Sequence, residues 1–182
     1  ICALAMHERG ALKNDTVVAT VMSNLGFHHT MRDAGITVQT TAVGDRYVLE
    51  ALRSQGLSLG GEQSGHLVFL DHATTGDGLL TGLAVLSRMA ATGSSLAELA
   101  SVLQRLPPVL VNVPVADRLR VAESDEVAEA VNAVEEELGD SGRVLLRPSG
   151  TEQLVRVMVE APTQDQADDV AKRLAEVVAA VT

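Results

Sequence analysis

Two consecutive prolines, Pro107 and Pro108, separate two different hydrophobic patterns and set the number of folding units. Neither ring tolerates a helix interior, and neither offers an amide to a ladder, so a regular element ends here. Before the prolines, short apolar runs alternate with segments of helical period. Residues 17–22 suit a strand buried on both faces, and residues 36–43 form a second, β-branched run. Between them Ser23 offers an N-cap for a helix to about Ala34, stopped by Gly35. Gly44-Asp45 opens another helix with Val48, Leu49 and Leu52 on one face, ended by Gly56. A glycine-rich loop and a further apolar run at residues 66–70 follow. Asp77 then caps a strongly apolar helix carrying Leu79, Leu80, Leu83, Ala84, Leu86 and Ala90, and Ser95 with Glu98 has capping-box spacing. This alternation predicts an α/β domain over residues 1–106, a mixed sheet with flanking helices. Residues 1–12 read as helix with no capping residue ahead of Ile1, as if the element begins elsewhere.

Beyond the prolines the order changes. Val109, Val111, Val113 and Val115 alternate as a strand, and Ser124 caps a helix with Val127, Ala130, Val131, Val134 and Leu138 inward. Two apolar runs, residues 144–146 and 154–159, flank a tight connection. Thr163 and Gln166 have the spacing of a capping box for a last helix, with Ala167, Val170, Ala171, Leu174, Val177, Val178 and Val181 inward. Strand, helix, hairpin, helix predicts a small α+β domain over residues 109–182, an antiparallel sheet with two helices on one face.

Charge and cysteine usage narrow the partners. A formal net charge of -10 over 182 residues repels a phosphate backbone and argues against nucleic acid. No apolar stretch reaches membrane-spanning length, and the single cysteine, Cys2, forms no internal disulfide framework. A soluble, cytoplasmic chain is the expectation.

The densest chemistry lies in the connection Arg147-Pro148-Ser149-Gly150-Thr151-Glu152. Arg147 can grip two phosphate oxygens, Ser149 and Thr151 can donate hydroxyl hydrogens, and Gly150 lets backbone amides turn towards an anion. The same residues also make an ordinary hairpin turn with a solvated arginine. A second stretch, Gly60-Gly61-Glu62-Gln63-Ser64-Gly65-His66, frames a carboxylate with glycines. The Glu62 oxygens suit adjacent sugar hydroxyls and Ser64 can donate or accept beside them, the alternative being an exposed glutamate on a flexible loop. His66 is either a polar residue at a strand edge or a group that contacts ligand or moves a proton. Asp71, His72 and Asp77 lack a second cluster to complete a metal sphere, and His28-His29 point apart on a helix. No metal site is expected in the chain, and no nucleophile elbow, P-loop or dinucleotide fingerprint is present.

Taken in order, residues 61–66, Thr74-Thr75-Gly76-Asp77-Gly78 and Arg147 to Glu152 resemble the phosphohexose mutase family. Residues 41–48 and 60–66 look most like its branch that acts on glucosamine phosphate. The resemblance covers the whole chain but only the third and fourth domains of the family, the fourth being TATA-box-binding-protein-like. It implies interconversion of glucosamine 6-phosphate and glucosamine 1-phosphate through a phosphoserine and a bisphosphorylated sugar. Glu62, Ser64 and Gly65 would hold sugar hydroxyls with His66 close by. Arg147, Ser149, Gly150 and Thr151 would hold the phosphate not being transferred, and Asp45 and Arg46 would sit in the specificity loop. The phosphoserine and the Mg²⁺ loop belong to the family's first two domains, so the N-terminal half of the same enzyme is the implied partner and the chain alone is expected to be inactive. Gln153 stands where the family usually has proline, which implies a less rigid turn. A phosphomannomutase or phosphoglucomutase, or a non-catalytic phosphosugar-binding module, remains the alternative.

Overall fold

Strand β1 (Thr16–Thr20) forms the middle of the first sheet in the computed structural model, which describes residues 1–181. Strands β2 (Thr37–Thr41) and β3 (Leu59–Gly61) pair with it in parallel on either side, and β4 (Leu67–Phe69) adds antiparallel to β3. Helix α2 (Leu25–Asp33) links β1 to β2, and α3 (Asp45–Gln55) carries the chain back past β1 to β3. These crossovers run in opposite directions along the sheet, so right-handed connection puts the two helices on opposite faces. The packing agrees. Val17 clusters with Met31 of α2 and Met6 of α1 (Cys2–Glu8), whereas Val18 clusters with Val48 and Leu52 of α3. A strand covered on both faces needs an unbroken apolar run, and β1 supplies one.

Several elements differ from the sequence expectation. Helix α1 stops at Glu8 rather than near Leu12, and a 3₁₀ turn, Lys13–Asp15, leads into β1. The cap of α2 is Asn24, whose side chain accepts from the Gly26 amide, instead of Ser23. Gly60 and Gly61 lie in a strand, not a loop. A Cβ on Gly60 would come within 2.8 Å of Val48 and 2.9 Å of Val18, so only glycine lets β3 pass between them. Helix α4 (Gly78–Thr92) divides its apolar residues between two sides. Leu80, Ala84 and Val85 pack on the α1 side of the core, while Leu79, Leu83 and Leu86 face outward at 77%, 57% and 60% exposure. Its Asp77 cap and the Ser95–Glu98 capping box of α5 (Leu96–Ala100) form as expected.

The second unit begins at Leu106. Its sheet is antiparallel throughout, with β7 (Leu154–Glu160) between β5 (Pro108–Pro114) and β6 (Arg143–Pro148). Val155, Val157 and Val159 of the central strand are fully buried and cluster with α7 (Asp125–Leu138) and α8 (Gln164–Ala180). Ser124 caps α7, and Thr163 caps α8 by accepting from the Gln166 amide. The sequence reading passes over α6 (Arg118–Ala122), a short helix capped by Asp117 and anchored by buried Val121.

The other sheet face alternates with these valines. There Arg143 opposes Glu160, Leu145 opposes Met158, and Arg147 opposes Arg156. Arg143 Nε donates to Glu160 Oε2 at 2.8 Å, and Glu160 is 2% exposed. Removing one partner of a buried ion pair is strongly destabilising. Arg143→Met is expected to cost about 3 kcal/mol, and pairing it with Glu160→Leu to recover most of that loss. Urea unfolding of the single and double variants checks both outcomes.

Candidate functional site

In the first unit, the turn between β3 and β4 presents Glu62, Ser64, Gly65 and His66. It is closed by the Glu62 amide donating to the His66 carbonyl at 2.9 Å and the Gly65 amide donating to the Glu62 carbonyl at 3.1 Å. Gly65 adopts φ 104°, which an L side chain rarely takes, so glycine closes this turn without strain. Ser64 and His66 are exposed, but the Glu62 side chain is only 9% exposed.

The cause of that burial is a contact the sequence does not reveal. The Gly44 amide, at the N-terminus of α3, donates to Glu62 Oε1 at 2.8 Å. A helix N-terminus favours a carboxylate through its free amides and its dipole. One Glu62 oxygen is therefore engaged, while Oε2 lies 4.0 Å from His66 Nδ1. This contact also brings Asp45 and Arg46, the first residues of α3 and both exposed, beside the Glu62 turn. The Thr74–Gly78 segment backs the same turn, because a Cβ on Gly76 would lie 2.9 Å from the His66 ring.

In the second unit, the β6–β7 connection holds Ser149, Gly150, Thr151 and Glu152. The Ser149 amide donates to the Leu154 carbonyl at 2.9 Å, and the Glu152 amide donates to Ser149 Oγ at 3.3 Å. Ser149 is buried, its oxygen braces the turn, and no acceptor for its hydroxyl hydrogen is found among the described residues. Gly150 and Thr151 are exposed.

Arg147 has a neighbour that residue spacing alone missed. Register places Arg156 directly across from it on the face away from the helices. Like charges directly opposite on adjacent strands repel, so such a pair is stabilised by an anion between or beside the guanidiniums. Glu152 supplies part of that charge, its Oε2 accepting from Arg156 Nη2 at 3.3 Å. Arg156 Nε is nevertheless buried with no hydrogen-bond partner among the described residues. An arginine in an apolar strand carries this meaning only once the register sets it against Arg147. Among the described residues, no three or more His, Cys, Asp or Glu side chains group as metal ligands, and no helix is long and apolar enough to cross a membrane.

Comparison with known proteins fits these two units. The family model described as phosphoglucomutase/phosphomannomutase, alpha/beta/alpha domain III, matches residues 1–106, and that for the C-terminal domain matches residues 110–177. The chain belongs to the phosphoglucomutase/phosphomannomutase family. Within that family it is 69% identical over 180 residues to phosphoglucosamine mutase of Frankia alni, covering 99% of this chain and 40% of that protein. It is 64% identical over 181 residues to phosphoglucosamine mutase of Nocardia farcinica, again covering 40% of the relative. The chain thus spans about 40% of the length of these curated relatives. In fold it is similar to the solved Aspergillus fumigatus N-acetylphosphoglucosamine mutase in complex with GlcNAc-6P and magnesium, with a TM-score of 0.78 at 21% identity. That match covers 99% of this chain and 43% of the other.

The turn that carries Glu62 leaves no room for a side chain at its base. A Cβ on Gly61 would stand 2.7 Å from the His66 carbonyl oxygen and 3.1 Å from Leu67. Gly61→Ala is expected to cost about 1–3 kcal/mol, as overpacking against backbone does. Thermal or urea unfolding of the variant measures it.

Proposed function

We propose that this chain is the substrate-holding portion of a longer phosphoglucosamine mutase, an isomerase that moves a phosphoryl group between O6 and O1 of glucosamine phosphate. The names carried by its high-identity relatives support the reading. The observation that carries it is the cross-strand pair of Arg147 and Arg156 at the mouth of the Ser149–Thr151 turn. Two guanidiniums, two hydroxyls and the turn's amides make a phosphate cradle.

In this reading Arg147 and Arg156 clamp the phosphate that is not being transferred, with Ser149, Gly150 and Thr151 donating to its remaining oxygens. Glu62 uses the oxygen left over from its Gly44 contact to accept from sugar hydroxyls. Ser64 and Gly65 line the same turn, and His66 lies close enough to orient that carboxylate. Asp45 and Arg46, tied to the turn through Gly44, contact whatever distinguishes one hexose from another.

A bisphosphorylated sugar has to turn over between half-reactions, so each turn must accept the ligand both ways round. A symmetric clamp on phosphate and a carboxylate on hydroxyls meet that requirement. Catalysis would be mostly positioning and charge stabilisation. The described residues do not fit a magnesium site. We assign magnesium and the phosphoserine to the rest of the longer protein, and predict that this chain alone is inactive. The activity would supply an amino-sugar precursor for cell-wall synthesis in the cytoplasm.

In the intact protein, Arg147→Ala and Arg156→Ala are each expected to weaken glucosamine 6-phosphate binding by about 1.5–3 kcal/mol, as for a charged hydrogen bond. Calorimetric titration reads this directly, and unchanged affinity in both variants sinks the phosphate assignment. A panel of glucosamine, glucose and mannose 6-phosphates should rank glucosamine first, and a preference for mannose or glucose would move the protein to another branch of the family.

A further inference from the structure

The Ser149–Thr151 turn is not held by its hairpin alone. Behind it stands Arg118, the first residue of α6. Its Nη1 donates to the Glu152 carbonyl at 3.1 Å and to Gln153 Oε1 at 3.3 Å, and its Nη2 donates to the Gly150 carbonyl at 3.4 Å. One planar fork therefore spans the turn from Gly150 to Gln153. The Val115 amide adds a fourth tie, donating to the Gln153 carbonyl at 3.1 Å.

These bonds have a directional consequence. In a planar trans peptide the carbonyl and the following amide point opposite ways. Holding the Gly150 carbonyl towards Arg118 turns the Thr151 amide away from it, to the side where a ligand can be met.

Arg118 is itself held firmly. Asp117 Oδ1 accepts from the amides of Leu119 and Arg120 and so fixes the start of α6, and buried Val121 anchors the helix in the core.

We propose that Arg118 is a positioning residue for phosphate binding. Without touching ligand, it holds the Gly150 and Glu152 carbonyls so that the Thr151 and Gln153 amides point away from it, towards the anion. Gln153 takes part by giving the fork a side-chain acceptor. The proposal rests on the reading of Ser149–Thr151 as the phosphate turn.

The test is a steady-state assay of the intact protein with glucosamine 6-phosphate, together with its thermal midpoint, for Arg118→Ala, Arg118→Lys and Arg147→Ala. Loss of neutral-acceptor bonds to a charged donor should raise the KM of Arg118→Ala roughly five- to tenfold, with kcat changed less than about twofold, because the held phosphate is bound alike in ground and transition states. Lysine, which still donates to carbonyls, should bring KM back to within about twofold of the parent. A raised KM with an unchanged midpoint and lysine rescue supports positioning. If Arg147→Ala raises KM but Arg118→Ala does not, the positioning role is overturned and the phosphate turn stands. If Arg118→Ala lowers the midpoint and leaves KM alone, the residue is only structural. If neither variant changes KM, the phosphate reading fails and the proposal falls with it.

Discussion

The second unit depends on the register of two antiparallel strands. A slip of one residue between β6 and β7 would send every alternate side chain to the opposite face. If β6 moved, Arg147 would enter the valine core; if β7 moved, Arg156 would, and Val155 and Val157 would meet solvent. Two features oppose such a slip. Fully buried valines on the helix face reward one register only. On the other face, buried Glu160 is matched by Arg143 and by no apolar neighbour of β6. The ion pair contributes less to net stability than its geometry suggests, since burying charge carries a large desolvation penalty. Its value is in making the wrong pairing costly, and the arginine pair further along the same ladder inherits that precision.

The first unit solves a comparable problem differently. A carboxylate on a turn between two three-residue strands would ordinarily sample many rotamers. Here the amide at the start of α3 takes one oxygen, so the helix and the turn are set by a single bond. The bond joins Glu62 to the segment bearing Asp45 and Arg46, and a shift in either segment is transmitted to the other. Gly44 suits this role because its φ of 134° is open to glycine and strained for other residues.

Much of the fold was legible because local chemistry and burial agree. Asp77, Ser95, Ser124 and Thr163 cap the helices they precede, and the alternating valines of β5 and β7 mark a sheet with one covered face. What escaped was tertiary in origin. Glycines weaken strand propensity, so β3 looked like a loop until Val18 and Val48 showed why no side chain fits there. Helix α6 buries only Val121 and carries no apolar stripe to announce it. On α4 the apolar period is real, but it does not say which side meets the core, and three of its leucines face out. Among candidate site residues, Arg147, Ser149 and Glu62 were visible from type and spacing. Arg156, Gly44 and Arg118 were not, because each acquires meaning only from a partner that the register or the packing supplies.

The placement of the β6–β7 turn also bears on how this unit assembles. β5 reaches β7 only after α6, α7 and β6 have been laid down, whereas β6 and β7 meet across a short connection whose nearest pair is Pro148 with Val155. Closing a short loop loses the least chain entropy, and local pairings are the fast ones. Arg147 and Arg156 are thus brought together by the most local contact in the sheet. A hairpin alone is marginal in water, so the helices must still dock before the pair is held. The order matters for a nascent chain. Both arginines leave the ribosome within one short segment, after β5 and α7 and before α8, the last helix to pack on the valine face.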